Sequence, residues 1–320
     1  MVHAVLAPGV HHYSISQLEP ANDLNIAVVE GAAVELKAVS ATTAGTTEPR
    51  TVSDLCRRWA CLVAVNGDMF LPNQGPLGAV MSNGQVVVPM PASPVPAHWQ
   101  LSAGQNGRMS VDLAPPPGTA QSTGASYPLV LGGQVQRIAE QTPFTLGRHP
   151  RTIIGWNAAG RTIIVTVDGR SARSRGMSLA EGAALMVALG ATEAVNLDGG
   201  GSTTFVVNGQ VANRPSEGRE RRVANAWVVV AKSPSVEVSV AGDREFVAAN
   251  ADDRAVVAAS SGAVDLRPVP LLEDVATLPD ALWAGVAMVL VAGVLCGHGV
   301  RWRTRWSRRV RPVPVPIGEL

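Results

Sequence analysis

Three aspartates close short apolar runs, each beside glycine: Asp68 in "VAVNGDMF", Asp168 in "IIVTVDGR" and Asp198 in "AVNLDGGGSTT". One Asp-Gly pair is ordinary turn chemistry. Three of them, on strands that share a sheet, would bring their carboxylates to one edge. Two carboxylates can divide the roles of acid and of base or nucleophile, because unequal environments split their pKa values. Three can instead hold a divalent cation, which would suit a phosphodiesterase that cleaves P–O. Asn66 and Asn196 each stand two residues ahead of an aspartate, and Gly199, Gly200 and Gly201 follow Asp198. A run of glycines bares backbone N–H groups for close approach to a ligand. Ser202 and Thr203 add hydroxyl groups to the same loop.

Cationic side chains lie around these turns. Arg151 opens an apolar run and Arg170 follows Asp168 by two. The stretch "NRPSEGRERR" then sets Asn213, Arg214, Arg219, Arg221 and Arg222 just after the glycine loop. An arginine run often does no more than solvate a loop. Beside a glycine-rich backbone, however, planar guanidinium groups suit a pair of phosphate oxygens. Other chemistries are excluded. "GGGSTT" lacks the lysine of a P-loop and leads into a strand rather than a helix. There is no G-x-S-x-G to make Ser202 a hydrolase nucleophile. The six histidines form no H-x-x-x-H pair for zinc. His149 alone is a candidate proton carrier.

The elements that must position these residues read as an α+β, strand-rich domain with a few helices. Residues 24–31 and 34–41 alternate like a pair of strands. "TVSDLCRRWA" is a short helix capped by Thr51, and "CLVAVNGDMF" is a buried strand that breaks at Asn66. Hairpins are expected in "WQLSAGQNGRMSVDL", "PLVLGGQVQ" and residues 151–170, the last turning at Ala158–Gly160. "SLAEGAALMVALG" carries a capping box from Ser178 to Glu181. "FVVNGQVAN" turns at Asn208-Gly209, and "AWVVVA" ends the domain near Lys232. Cys56 and Cys61 can pair only if their helix ends near Trp59, since two positions five apart on a regular helix lie too far apart.

"PRTIIGW", "VTVDGR", "GMSLAEGAALMVALGATEAVNLDGGGSTTFVVNG" and "NRPSEGRERRVANA" together resemble the phosphodiester glycosidase family, and "AVNGDMF" fits upstream. The likeness runs from about residue 5 to 232. It implies hydrolysis of a sugar-1-phosphodiester to free sugar and phosphomonoester. Asp198, Asp168 and Asp68 would then be catalytic. Asn66, Arg151, Arg170, Asn196, Gly199–Gly201, Ser202, Thr203, Asn213, Arg214 and Arg219 would bind an anionic glycan. Met69 stands where an aromatic residue is common in related chains. The resemblance settles no cofactor and leaves a divalent cation possible. A non-catalytic module for anionic envelope polymer is the reading from another class.

Beyond the domain (residues 1–232), residues 233–280 read as a stalk. Residues 281–300, "ALWAGVAMVLVAGVLCGHGV", carry no formal charge. At about 1.5 Å per helical residue they would span roughly the 30 Å of a bilayer core as a transmembrane helix. Residues 301–320 form a basic tail with six arginines, among which stand Trp302 and Trp306. That is the pattern of a cytoplasmic stop signal and interfacial belt. The tail's net charge of +5 against +1 overall leaves −4 for the rest, which excludes a nucleic-acid surface. "MVHAVLAPGVHHYSISQLEP" shows no basic start and no apolar h-region, so export of the domain calls for a signal upstream. The expected topology is a domain outside and a tail inside. Protease added to intact, wall-stripped cells expressing the chain with its native upstream region should digest the domain and spare a tag on Leu320. Digestion of the tag with survival of the domain would reverse the orientation.

Overall fold

The computed structural model describes residues 1–18, 20–31, 33–43, 45–71, 75–92 and 98–232. The stalk, the proposed span at 281–300 and the arginine tail lie outside the described residues. Among the described residues no helix is long and apolar enough to cross a membrane. The fold is strand-rich with three helices among those residues, a mixed α+β architecture.

Period-two apolar patterning places alternate side chains on opposite faces of a strand, and both faces of the main sheets are buried here. In the hairpin Arg151–Trp156 and Thr162–Val167, Ile153 and Ile163 point one way, while Ile154 and Ile164 point the other. The first pair joins Leu179, Ala183 and Met186 of the helix Leu179–Ala188. The second pair meets Val63, Val65, Phe205 and Trp227 of another sheet. On the far face of that second sheet, Ala64, Val206 and Val228 pack on Val52, Leu55 and Cys56 of the helix Val52–Arg58. The core is therefore layered as helix, sheet, sheet, helix.

The larger sheet has eight strands in the order 2–7, 10–18, 21–29, 162–167, 151–156, 193–196, 127–131 and 134–135. The facing sheet runs 210–211, 205–207, 63–66, 225–231 and 34–40. A third sheet of five strands, around Trp99–Gly104 and Thr119–Ala125, contributes Leu101, Ala103 and Ala125 to the same core. Both helix starts follow their caps. The Thr51 side chain accepts from Asp54 N–H, and Ser178 with Glu181 forms the reciprocal capping box.

One pairing differs from expectation. Strands Ala21–Val29 and Val34–Ser40 are not partners: the first pairs with 10–18 and 162–167, the second with 225–231. The short connection carries the chain from one sheet to the other across the shared core. Alternation identifies a strand but not its neighbour.

The Cys56–Cys61 disulfide forms, with Cα atoms 5.0 Å apart. The helix ends at Arg58, Trp59 caps it, and Ala60 takes a left-handed φ of 47° that turns Cys61 back under Cys56. Replacing both cysteines by alanine should cost roughly 2 kcal/mol of stability, the loop-closure figure for so short a crosslink. Urea titration of the double variant against wild type measures it.

Candidate active site

The three aspartates reach one end of the sandwich from two sheets. Asp168 and Asp198 follow strands of the eight-stranded sheet, and Asp68 follows Val63–Asn66 of the facing one. The sheets are tied at this end. Asp198 N–H donates to Gly67 O at 3.0 Å, and Asn66 Nδ2 donates to Asp198 O at 2.8 Å. Asn66 Oδ1 in turn accepts from Thr152 Oγ1 and Thr204 N–H. Asn213 plays the same part at the second turn. Its Nδ2 donates to Asp168 Oδ1 and Thr203 O, while its Oδ1 accepts from Phe205 N–H. Asn196 donates to Ser126 Oγ at 2.8 Å. All three asparagines are buried and brace the frame of the site.

The carboxylates sit in unequal surroundings. Asp68 is fully buried; its Oδ2 accepts from Gly78 N–H, and its Oδ1 lies 3.2 Å from His98 Nε2 without hydrogen-bond alignment. Asp168 is also buried, with Oδ1 taken by Asn213 and Oδ2 by Arg214 N–H. Burial raises its pKa, and those two bonds oppose the rise. Asp198 alone of the three keeps an accessible edge. Desolvation by the surrounding protein nonetheless pushes its pKa up to about 6. The Ser202 hydroxyl, Gly199 N–H and Arg221 pull it down, and the Asp68 charge pushes it further up. Among the described residues no group of three histidine, cysteine, aspartate or glutamate side chains is arranged to hold a metal ion.

The glycines do more than bare N–H groups. Gly199 N–H is bonded to Asp198 Oδ1 and Gly200 N–H to Pro150 O. What the missing side chains admit is other groups. A Cβ on Gly199 would lie 2.7 Å from Pro150 O, and one on Gly200 would lie 2.9 Å from the Arg170 guanidinium. On Gly201 it would meet Glu217 Oε1 at 2.1 Å and Arg221 Nη2 at 2.2 Å. Arg170 itself has a left-handed φ of 62°, an uncommon conformation for a side chain of that size. The exposed Arg170 and the half-buried Arg221 thus stand over the loop that follows Asp198.

Arg151 is a correction. It is wholly buried and donates to the carbonyls of Met177, Phe144 and Gly147, with its guanidinium 4.7 Å from the Phe144 ring centre. It anchors the turn around residues 143–147 and is not presented to a ligand. Arg214 serves Asp168 through its backbone, with its side chain exposed, and Arg219 is exposed near Glu217. Ser202 and Thr203 are buried. Arg221 Nη1 donates to Ser202 Oγ at 3.3 Å, which links that arginine to Asp198. His149 bonds Pro143 O and stacks near Phe144, a structural position.

Sequence reasoning missed His98 and Gly124. A Cβ on Gly124 would fall 2.2 Å from Asp68 Oδ2 and 2.3 Å from His98 Nε2. Neither residue sits in a motif, because their meeting is made by the third sheet. A separate groove of about 970 Å³ opens at the opposite strand ends, by Glu30, Trp156 and Glu193; it holds none of the three aspartates. Chemistry rather than volume locates the candidate site.

Residues 60–230 match the family model described as phosphodiester glycosidase. The chain belongs to the phosphodiester glycosidase family. It is 29% identical over 194 residues to an uncharacterized SPbeta prophage-derived protein of Bacillus subtilis, covering 58% of this chain and 30% of that one. It is 42% identical over 67 residues to the bovine N-acetylglucosamine-1-phosphodiester alpha-N-acetylglucosaminidase, covering 21% of this chain and 12% of that protein. Less than a third of either relative is therefore spanned. The catalytic domain of the zebrafish N-acetylglucosamine-1-phosphodiester alpha-N-acetylglucosaminidase shares the fold, with TM-score 0.57, 21% identity, and 70% of this chain and 82% of that one covered. A hypothetical protein from Synechocystis shares it too, with TM-score 0.54, 18% identity, and coverage of 71% and 63%.

In this family member the raised Asp198 pKa has a stability consequence. The folded value of about 6 lies above the ordinary 3.8, so between those pH values the folded state holds a proton that the unfolded chain has released. Asp198 therefore subtracts stability as pH rises through that window. Asp198→Asn should unfold like wild type below about pH 4 and should be about 1–3 kcal/mol more stable above about pH 6. Urea midpoints taken across this range read the difference. A variant less stable than wild type at pH 7 contradicts the assignment.

Proposed function

We propose that this chain hydrolyses a sugar-1-phosphodiester, GlcNAc-1-phosphodiester-like, in cell-envelope glycan, releasing free sugar and a phosphomonoester. The observation that carries the reading is Asp198: an accessible carboxyl with a pKa near 6, beside a loop crowned by Arg170 and Arg221. Family membership supports the reaction class. A phosphate monoester leaves readily once its charge is met, so the reaction's main need is an activated water. In its ionised form Asp198 would take a proton from water as the oxygen attacks C1. The C1–O bond to phosphorus would break with its electrons going to the phosphate, whose charge the guanidinium groups would hold. Asp68, sealed beside His98, would act on Asp198 through charge alone. Asp168, fully hydrogen-bonded, would hold the loop that carries Asn213 and Arg214.

We further propose that the domain faces outward from the membrane, held by residues 281–300. The uncharged run and the arginines beyond it support this placement. Of the alternatives, cleavage at P–O by an aspartate-bound cation finds no three-ligand group among the described residues.

Hydrolysis of a GlcNAc-1-phosphodiester in oxygen-18 water should put the label in the sugar. Label in the phosphate would make the chain a phosphodiesterase, and absence of turnover across envelope phosphodiesters would make it a binding module. Asp198→Asn should fold normally and lose on the order of 10³-fold or more in turnover.

A further inference from the structure

Glu217 and Arg221 form an ion pair, with Arg221 Nη2 on Glu217 Oε1 and Nε on Oε2 at 3.2 Å. On a helix, two such residues four apart would meet by default. Here they lie in a loop outside any helix. A turn brings them together: Gly218 N–H bonds Pro215 O, and Gly218 has a φ of 75° that suits only glycine well. The pair does not hang free in solvent. It lies against Gly201, where a Cβ would come within 2.1 Å of Glu217 Oε1 and 2.2 Å of Arg221 Nη2 and would make both side chains shift. Arg221 also donates to Ser202 Oγ, a hydroxyl that helps lower the Asp198 pKa. Arg170 and Arg219 add their charges to that of Arg221, and together the three hold the Glu217 carboxyl below its ordinary pKa.

The planar fork of Arg221 thus holds two carboxylate oxygens directly over the glycine loop, among other guanidinium groups. Those are the donors and the spacing that a phosphoryl group's oxygen pair would take. We propose that Glu217 is a resident competitor for the anion site: its carboxylate occupies the Arg221 fork in the free protein and must be displaced when a phosphoryl oxygen pair binds. This rests on the phosphodiester reading of the same site. It adds a residue that sets affinity for the charged portion of the substrate and for the phosphomonoester product. A resident carboxylate keeps the fork oriented while the site is empty. It also weakens retention of the phosphomonoester, because Glu217 can return to the guanidinium as the product leaves.

The test uses the full chain in mild detergent and inorganic phosphate as the probe, titrated calorimetrically at fixed ionic strength. Glu217→Gln should bind phosphate about tenfold tighter than wild type, because a neutral amide gives up the charge-assisted pair. Adding Arg221→Lys to Glu217→Gln should remove that gain. Glu140→Gln, which deletes an exposed acid elsewhere, should bind phosphate as wild type does. Unchanged or weaker binding in Glu217→Gln overturns the proposal, as does an equal gain in Glu140→Gln. Unfolding midpoints confirm that each variant is folded. Tighter phosphate binding without hydrolysis of any sugar phosphodiester would leave the anion site standing and the glycosidase reading fallen. Sugar-labelled hydrolysis with phosphate binding unmoved by Glu217→Gln would fell this inference alone.

Discussion

The site depends on one buried amide. Asn66 ends a strand of the second sheet, yet its side chain bonds the Asp198 carbonyl, the Thr152 hydroxyl and Thr204 N–H. Thr152 belongs to the eight-stranded sheet, and Asp198 follows its Glu193–Asn196 strand. One side chain therefore fixes how the ends of the two sheets meet. Between the sheets the contact is apolar and non-directional, and many small slides would bury nearly the same area. A fully enclosed amide removes that freedom, because a lost partner leaves a polar group unsatisfied at a cost of about 1–3 kcal/mol. The chain trace of the Asp198 loop is set by this bond and by Asp198 N–H on Gly67 O.

With the frame fixed, the three aspartates are separated by environment alone. Asp168 has both oxygens filled by the chain and Asp68 is sealed under Gly78 and His98, so neither meets solvent. Asp198 retains an open edge and feels the buried Asp68 charge. Three similar turns thus yield one chemically available carboxyl, a division that like-charge proximity and burial enforce together. The cost is a destabilised carboxylate near neutral pH, an energy that the layered core must cover.

Much of this was legible in the sequence, because it is written in local codes. The Ser178–Glu181 capping box, the Thr51 cap and the Asn208-Gly209 turn act within a few residues, and each formed as read. The break at Asn66 and the three aspartate turns were also visible. What was not legible depends on distant partners. Nothing near Arg151 says that its guanidinium would be spent on three carbonyls inside the molecule, since a strand-opening arginine reads the same whether it points in or out. His98 reaches Asp68 only because Gly124, on a neighbouring strand, leaves space for both. The partners of Ala21–Val29 and Val34–Ser40 were hidden for the same reason: alternation is a property of one strand, and pairing is a property of two.

The glycine triplet answers to more than one physical demand. A Cβ on Gly199 would collide with the Pro150 carbonyl and Gly200 takes a positive φ of 62°, so space and backbone conformation call for glycine there in addition to any use of its N–H groups. Two of the three N–H groups are spent within the chain, while Arg170, Arg221 and Glu217 approach where side chains would otherwise stand. Arg221 of "NRPSEGRERR" and Arg170 therefore meet the glycines at one loop, although they are written in separate stretches of sequence. The absence of side chains lets the Arg170 and Arg221 guanidinium groups come close to the loop, and Arg221 donates to the Ser202 hydroxyl. A larger residue at Gly201 would make the ends of the Glu217 and Arg221 side chains shift off the loop. In a body whose net charge is negative outside the tail, the loop after Asp198 is thus a local concentration of positive charge.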